Sequence, residues 1–577
     1  MKKAISVFMI VTLVGFFSCK KSTTGGGGGG GTTEDTTTVQ PQVDPATANT
    51  IGFFLDDWQA KSFTAPSGFQ PSSVPAAAGV TVTVDRSVVI TKIPRSLASD
   101  NSNLWMGQIV TESSLMDHIT TLHPHIIRFP GGSISDVFFW NALKDQKPAD
   151  APDQLVQDNG TSTAAGYWYG KNAENWTFSV ENYYNMLQQT GNAGMIVVNY
   201  GYARYGTGPN PAAAAAHLAA DWVRFDNGRT KYWEIGNENY GNWEAGYRIN
   251  TANNKDGQPE FLTGQLYGQH FKIFADSMRK AANEIGKTIY LGAVTSESAP
   301  QTWWSNTAKG WNSGLFTAAG NSPDFHIVHN YYTPFQTNAD ADVILNTPIT
   351  ETATMTDYVK AQITGAGLTQ KPIAMTEWNI TSQGQMQQVS NVNGLHAVMV
   401  IGESLKNKLG MTARWDMANG WSNGNDHGLF NQGDEPDGVP KWNPRPAYYH
   451  MYFFKKYLGD RLVSSTSSNA NVISYASSFT SGETGVALVN KGSTAATVEV
   501  NIKNFKKGSK FYFYTLTGGT DNGSFSRKVL VNGATTTYAA GGPANYKDIL
   551  PYSASTNSGI RLSIPARSAV YLVVTKQ

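Results

Sequence analysis

Thr230-Lys231-Tyr232-Trp233-Glu234-Ile235-Gly236-Asn237-Glu238 runs from an apolar, strand-like stretch through a glycine into an amide and a carboxylate. Pro372-Ile373-Ala374-Met375-Thr376-Glu377-Trp378-Asn379 repeats the design, with its carboxylate at the end of the apolar run. Working outward from these two, six further strand candidates follow the same beat. They are Leu104–Gln108, Ile126–Gly132, Met195–Gly201, Ile289–Val294, Phe325–Tyr332 and Thr412–Met417. Helical stretches lie between them: Asn210 to Val223, Gln265 to Ile285, and Asn391 to Leu409 with Leu, Val and Ile at helical spacing. Strand alternating with helix predicts a parallel sheet covered by helices. Eight such units over residues 96–457 predict an α/β fold, a (β/α)8 TIM barrel with enlarged loops. No GxGxxG or GxxxxGK loop follows a strand, which argues against a doubly wound, nucleotide-binding sheet.

The pattern changes beyond Tyr457. Val472–Tyr475, Gly485–Asn490, Thr497–Ile502, Lys510–Thr515, Lys528–Asn532 and Ala569–Thr575 are short β-rich runs separated by Gly, Ser, Asn and Thr. Residues 458–577 therefore predict a C-terminal antiparallel β-sandwich. Residues 49–95 contain the alternating stretch Thr81–Lys92, which predicts N-terminal strands completing the same sandwich.

The chain opens with Lys2-Lys3, an apolar run from Ala4 to Phe17, then Ser18-Cys19-Lys20-Lys21. A basic start and a short apolar run read as a signal peptide over residues 1–18, not a spanning helix. Cys19 is the only cysteine, and its position resembles a bacterial lipoprotein lipobox, which implies lipidation at Cys19. Residues 19–48, with seven consecutive glycines at Gly25–Gly31 and a Thr-rich run, read as a flexible tether. The expected location is outside the cytoplasm, anchored to a bacterial membrane as a periplasmic or cell-surface lipoprotein.

Composition narrows the partners. Lys+Arg 44 against Asp+Glu 43 provides no basic field for a phosphate backbone, so a nucleic-acid partner is not expected. No stretch beyond the N-terminus approaches the apolar length of a membrane span. The high aromatic content, 12% with 15 Trp, suits stacking on sugar faces, and Trp378, Trp415 and Trp421 near barrel strand ends are the candidates. His118, His123 and His125 lie close together without the carboxylate pattern of a metal site, and the acidic loop Asn431–Asp437 lacks EF-hand spacing. No metal and no cofactor is expected.

In a TIM barrel the reactive side chains gather at the C-terminal ends of the strands. The spacing between Glu238 and Glu377 suits three βα units, which puts them on strands 4 and 7, across the barrel mouth. Paired carboxylates so placed match the needs of glycosidic bond cleavage. Glu234 shares strand-face parity with Glu238 and is a weaker candidate. Asp136, after the Pro-Gly-Gly turn, reads as a loop or cap residue.

Four motifs follow one another in order: Arg128-Phe129-Pro130-Gly131-Gly132, Trp233-Glu234-Ile235-Gly236-Asn237-Glu238, His329-Asn330-Tyr331-Tyr332 and Thr376-Glu377-Trp378-Asn379. Together they resemble clan A of the glycoside hydrolases, and within it most closely family 51, the α-L-arabinofuranosidase and endoglucanase group. The resemblance implies Glu238 as acid/base, Glu377 as nucleophile and Asn237 as partner of the sugar 2-hydroxyl. It implies that Arg128 and either Tyr331 or Tyr332 keep the nucleophile ionised, and that His329 lines the pocket. Glu238 is expected to hold its proton until glycosylation. The implied function is retaining hydrolysis of plant or algal cell-wall polysaccharide, arabinofuranosidase-like or endo-acting, with a polysaccharide or oligosaccharide substrate. The alternative is a non-catalytic glycan-binding surface lipoprotein on the same scaffold; a pure binder has no need of both glutamates.

Overall fold

The structure, a computed structural model, describes residues 39–577. Cys19, the signal peptide and most of the tether lie outside that range.

Eight parallel strands close into a barrel: β1 (Ser99–Asn101), β2 (Ile126–Phe129), β3 (Ala193–Val198), β4 (Thr230–Ile235), β5 (Tyr290–Val294), β6 (Phe325–Asn330), β7 (Ile373–Trp378) and β8 (Met411–Arg414). Closure is made by β8 on β1, with Ala413 beside Ser99 and Arg414 beside Asp100. Each strand is followed by a helix, from Ser113–Leu122 after β1 to Pro446–Tyr457 after β8. Local chemistry sets the helix ends. Asn210 accepts the Ala213 amide at 3.0 Å ahead of Pro211, whose missing N–H is harmless in the first turn. Thr263 caps the Gly264–Glu284 helix through Leu266 at 3.1 Å.

One strand departs from expectation. Leu104–Gln108 is loop, and β1 is the polar tripeptide Ser99-Asp100-Asn101, buried throughout. Asn101 reaches past β8 to β7, donating to the Thr376 carbonyl at 2.9 Å, so an amide occupies an interior position usually apolar. The apolar pattern therefore carried no mark of this strand.

The Val80–Lys92 strand pairs antiparallel with Arg461–Ser467 and parallel with Ala496–Lys503. It sits within one 11-stranded sheet that takes in the rest of the C-terminal region. The sheet is mixed, not purely antiparallel, because the N-terminal strand enters from elsewhere in the chain. Val82, Val84, Leu488, Val498, Phe511 and Leu572 form its interior. Residues 51–55, expected with the sandwich strands, instead plug the N-terminal end of the barrel. Ile51 and Phe54 pack on Ile126, Met195, Phe325 and Met411 at the strand starts, and Phe53 stacks on Tyr290 with ring centroids 3.8 Å apart. The helix Asn391–Lys406 is buried on nearly every side, because it lies between barrel and sheet. Tyr475 from the sheet donates to its Glu403 at 2.9 Å. The barrel's base and one flank are thus sealed, and Glu238 and Glu377 lie at its C-terminal mouth.

Candidate active site

The chain leaves β4 through Gly236 at φ +79°, where a Cβ would overlap Asn239 and the Tyr200 side chain. Glu238 itself holds φ +41°, a left-handed conformation costing a non-glycine residue about 1 kcal/mol or more. Asp136 holds this turn. Its carboxylate accepts the Tyr200 amide at 3.1 Å, the Gly201 amide at 3.0 Å, the Asn239 side chain at 2.7 Å and the Asn237 amide at 3.3 Å. Burial nevertheless pushes Asp136 up to about 7. Its role is the cap-like one that its place after Pro-Gly-Gly suggested.

Arg128, fully buried at the end of β2, organises the centre. Nε donates to Glu234 at 2.8 Å, Nη1 to Asn101 at 3.0 Å and Glu377 at 3.1 Å, and Nη2 to Asn237 at 2.9 Å. Glu234 therefore points inward, as its parity allowed, but is fully buried against Arg128 and has no access to a substrate. The second oxygen of Glu377 accepts the Tyr331 hydroxyl at 2.5 Å. Tyr332 turns the other way, its hydroxyl bonding Thr352 at 2.8 Å, which resolves the choice between the two tyrosines. Asn237 spends one Nδ2 hydrogen on Glu244 at 3.0 Å and keeps the other.

His329 does more than line the pocket. Its Nδ1 lies 2.8 Å from Glu238 Oε1 and 3.7 Å from Glu377 Oε2, and its Nε2 is 3.2 Å from the Thr376 hydroxyl. The Trp243 indole N–H donates to the other Glu238 oxygen at 3.2 Å. This corrects the expected charge distribution. Burial pushes Glu238 up, but the hydrogen bond and charge of His329 pull it below the ordinary carboxylate value. Burial raises Glu377, with the Glu238 charge adding to the rise and His329, Arg128 and Tyr331 opposing it. Burial pulls His329 down, but the two glutamates outweigh it and raise the imidazole overall. Glu238, His329 and Glu377 lie in contact around the 2.8 Å His329–Glu238 pair and titrate together.

Trp415, at the end of β8, is 8% exposed and lies over Gly131 and Gly132, where added Cβ atoms would sit 3.0 and 2.9 Å from its ring. Trp378 is 0% exposed and packs near His396, so its ring has no face for a sugar. Trp421 lies under the guanidinium groups of Arg445 and Arg527. His125 pairs with Asp57 and His118 contacts Tyr546, both away from the mouth. In the acidic loop, Glu435 and Asp437 are bonded by Arg445 and Arg527.

Ligand-type atoms of Glu238, His329 and Glu377 lie within 4.8 Å of one another. The Arg128 guanidinium on Glu377 supplies a fixed positive charge beside that set, which disfavours a cation there. Three contributors went unread in the sequence. Asn101 was hidden in a polar strand, while Glu244 and Trp243 sit on a loop whose fold-back no spacing rule predicts.

No family model matches the sequence, and no curated protein matches it. Solved structures do. The GH51 α-L-arabinofuranosidase of Thermotoga petrophila aligns with TM-score 0.58 at 18% identity, over 86% of this chain and 100% of that one. The GH51 arabinofuranosidase of Xanthomonas axonopodis pv. citri aligns with TM-score 0.59 at 14% identity, again over 86% and 100%. The fold is that of the family 51 arabinofuranosidases. A family 44 xyloglucanase of Paenibacillus polymyxa aligns over 87% of this chain and 100% of its own, with TM-score 0.55 at 11% identity. The shared architecture thus extends from barrel to sandwich, and in this chain Glu238 and Glu377 lie at the ends of the fourth and seventh strands.

Proposed function

We propose that this chain is a retaining glycoside hydrolase acting on a plant or algal polysaccharide, with Glu377 as nucleophile and Glu238 as acid/base. One observation carries the reading. An oxygen of Glu238 and one of Glu377 lie within 4.8 Å of each other, with donors aimed at both. Retaining enzymes hold their carboxyls about 5–5.5 Å apart, whereas inverting enzymes need about 6.5–9.5 Å to admit a water. In the first half-reaction a Glu377 oxygen bonds the anomeric carbon as the bond to the leaving oxygen breaks. That oxygen takes the proton from Glu238, supplied to it across the His329 Nδ1 contact, and the step leaves Glu238 ionised. In the second half Glu238 removes a proton from water, which attacks the same carbon and frees Glu377. Arg128 and Tyr331 favour the ionised nucleophile, and the spare Asn237 Nδ2 hydrogen is free to bond a sugar hydroxyl next to the reacting carbon.

Exposed aromatic rings on the mouth-side loops, Trp176, Trp243, Trp303 and Phe335, favour a polymer over a small glycoside. The test is product sizing on arabinan, arabinoxylan, xyloglucan, mixed-linkage glucan and an algal galactan, beside Glu377→Ala. Arabinose alone supports arabinofuranosidase action, and an oligosaccharide ladder supports endo action; both must vanish in the variant. Retained binding without any product from the wild type would favour the glycan-binding alternative. We further propose membrane tethering through Cys19. Cys19→Ser should move the protein from the membrane fraction to the soluble one, and unchanged fractionation would refute the anchor.

A further inference from the structure

Trp243 is 60% exposed, a large exposed apolar ring beside the catalytic acid. Its position is fixed at both edges. The indole N–H donates to Glu238 Oε2 at 3.2 Å, and the ring meets Tyr240 edge-on with centroids 6.3 Å apart. One flank lies against Gly241, where an added Cβ would overlap the indole, so the absence of a side chain there lets the ring lie down on the backbone. The remaining surface is left to solvent. The sugar attacked at its anomeric carbon must sit lower, over Glu377, Arg128 and Asn237. A ring that touches the acid on its outer oxygen is therefore placed to meet the sugar bonded to the oxygen being protonated. Glu297 stands three residues beyond the end of β5, the strand next to β4 in the barrel, and takes no hydrogen bond from another described residue. Burial, with the Glu238 charge adding to it, pushes Glu297 up to about 7.

We propose that Trp243 is the stacking platform of the leaving-group subsite, with Tyr240 and Glu297 as its walls, and that this subsite takes a neutral sugar of the polymer chain. The inference rests on the glycosidase reading above. A sugar's apolar C–H face covers the indole while Glu297 accepts one of its hydroxyls. Two carboxyls at this place disfavour a uronic acid there by like-charge repulsion.

The experiment compares two substrates. One is a tetrasaccharide of the panel polymer that the wild type digests, prepared from that polymer by partial acid hydrolysis. The other is the glycosyl fluoride of the same glycone, whose leaving group is a single atom and occupies no platform. Trp243→Ala should lower kcat/KM on the tetrasaccharide about 10- to 100-fold more than on the fluoride. Trp243→Phe should recover most of that difference, since it keeps the ring and loses only the N–H donor. Glu297→Gln should retain the preference for the tetrasaccharide while relieving discrimination against a uronic acid at this position. A Trp243→Phe variant that recovers none of the difference would overturn the subsite and leave Trp243 acting only through Glu238, because fluoride departs without protonation and lost acid help also falls mainly on the tetrasaccharide. Equal losses on both substrates in Trp243→Ala would overturn the subsite as well, and the glycosidase reading stands in either case. If the wild type cuts no panel polymer and Glu377→Gln binds none, the parent reading falls and the subsite with it.

Discussion

Replacing Tyr331 by Phe isolates one bond of Glu377, the proposed nucleophile. Tyr331 donates to Glu377 Oε1 at 2.5 Å, and Arg128 donates to the other oxygen at 3.1 Å. Burial already raises Glu377 above the ordinary carboxylate value. The lost hydrogen bond favoured the charged form, so its removal raises the carboxyl further. A hydrogen bond to a charged group is worth about 1.5–3 kcal/mol, and one pKa unit about 1.4 kcal/mol, which together predict a rise of about 1–2 units. Because the nucleophile must be ionised, the acid limb of kcat/KM moves to higher pH by that amount. The loss of activity is largest at low pH and shrinks as pH rises. The assay is a full pH profile of kcat/KM for wild type, Tyr331→Phe and Tyr332→Phe on the same polymer. Tyr332 bonds Thr352 and not Glu377, so its variant should keep the wild-type limb. An acid limb that stays put or falls in Tyr331→Phe, or an equal shift in Tyr332→Phe, would refute the reasoning.

Gly132 holds φ +63° and ψ −171°, a region that is nearly glycine-only. Gly132→Ala should therefore cost about 1–3 kcal/mol and displace Trp415, seen as a lower Tm together with at least a tenfold loss of activity; normal values for both would contradict the packing. Asp136→Asn turns an acceptor into a donor facing the Asn237 amide and the Asn239 side chain. Each donor left unpaired should cost about 1–3 kcal/mol in denaturant unfolding, and a cost near zero would show that Asp136 does not hold the turn. Lys455 donates to the Leu122 carbonyl at 2.9 Å, and burial pulls it down to about 7. The unfolded chain binds the extra proton between that value and about 10.4, so this group destabilises the fold at low pH and the penalty fades as pH rises. Lys455→Met should improve stability, relative to wild type, more at pH 6 than at pH 10, and the reverse order would show that the group is not depressed.

The barrel was legible because seven of its strands are short, largely apolar runs alternating with helices. β1 was not, since Asp100 and Asn101 place polar groups inside the barrel, where Asn101 serves Arg128 and the β7 backbone. Glu238 and Glu377 could be read from their strand ends, and Arg128 and His329 from their motifs. The pairing of His329 with Glu238 could not, because it depends on a 2.8 Å contact between residues on β6 and the loop after β4. Trp378 and Trp415 look alike in sequence, each at a strand end. Strand parity buries the first beside His396, while the chain path beyond β8 lays the second over Gly131 and Gly132. Tyr331 and Tyr332 adjoin each other, and only the left-handed turn at Tyr332, φ +55°, separates their directions.

The central claim is that Glu377 becomes covalently bonded to the sugar. Incubation with a 2-deoxy-2-fluoro glycosyl fluoride of the cleaved sugar should slow turnover of the intermediate enough to trap it. Intact mass should then rise by one fluoroglycosyl group, and peptide mapping should place it on Glu377, with none on Glu377→Ala. A label on any other residue, or unlabelled enzyme that releases product with inverted configuration, would contradict the account.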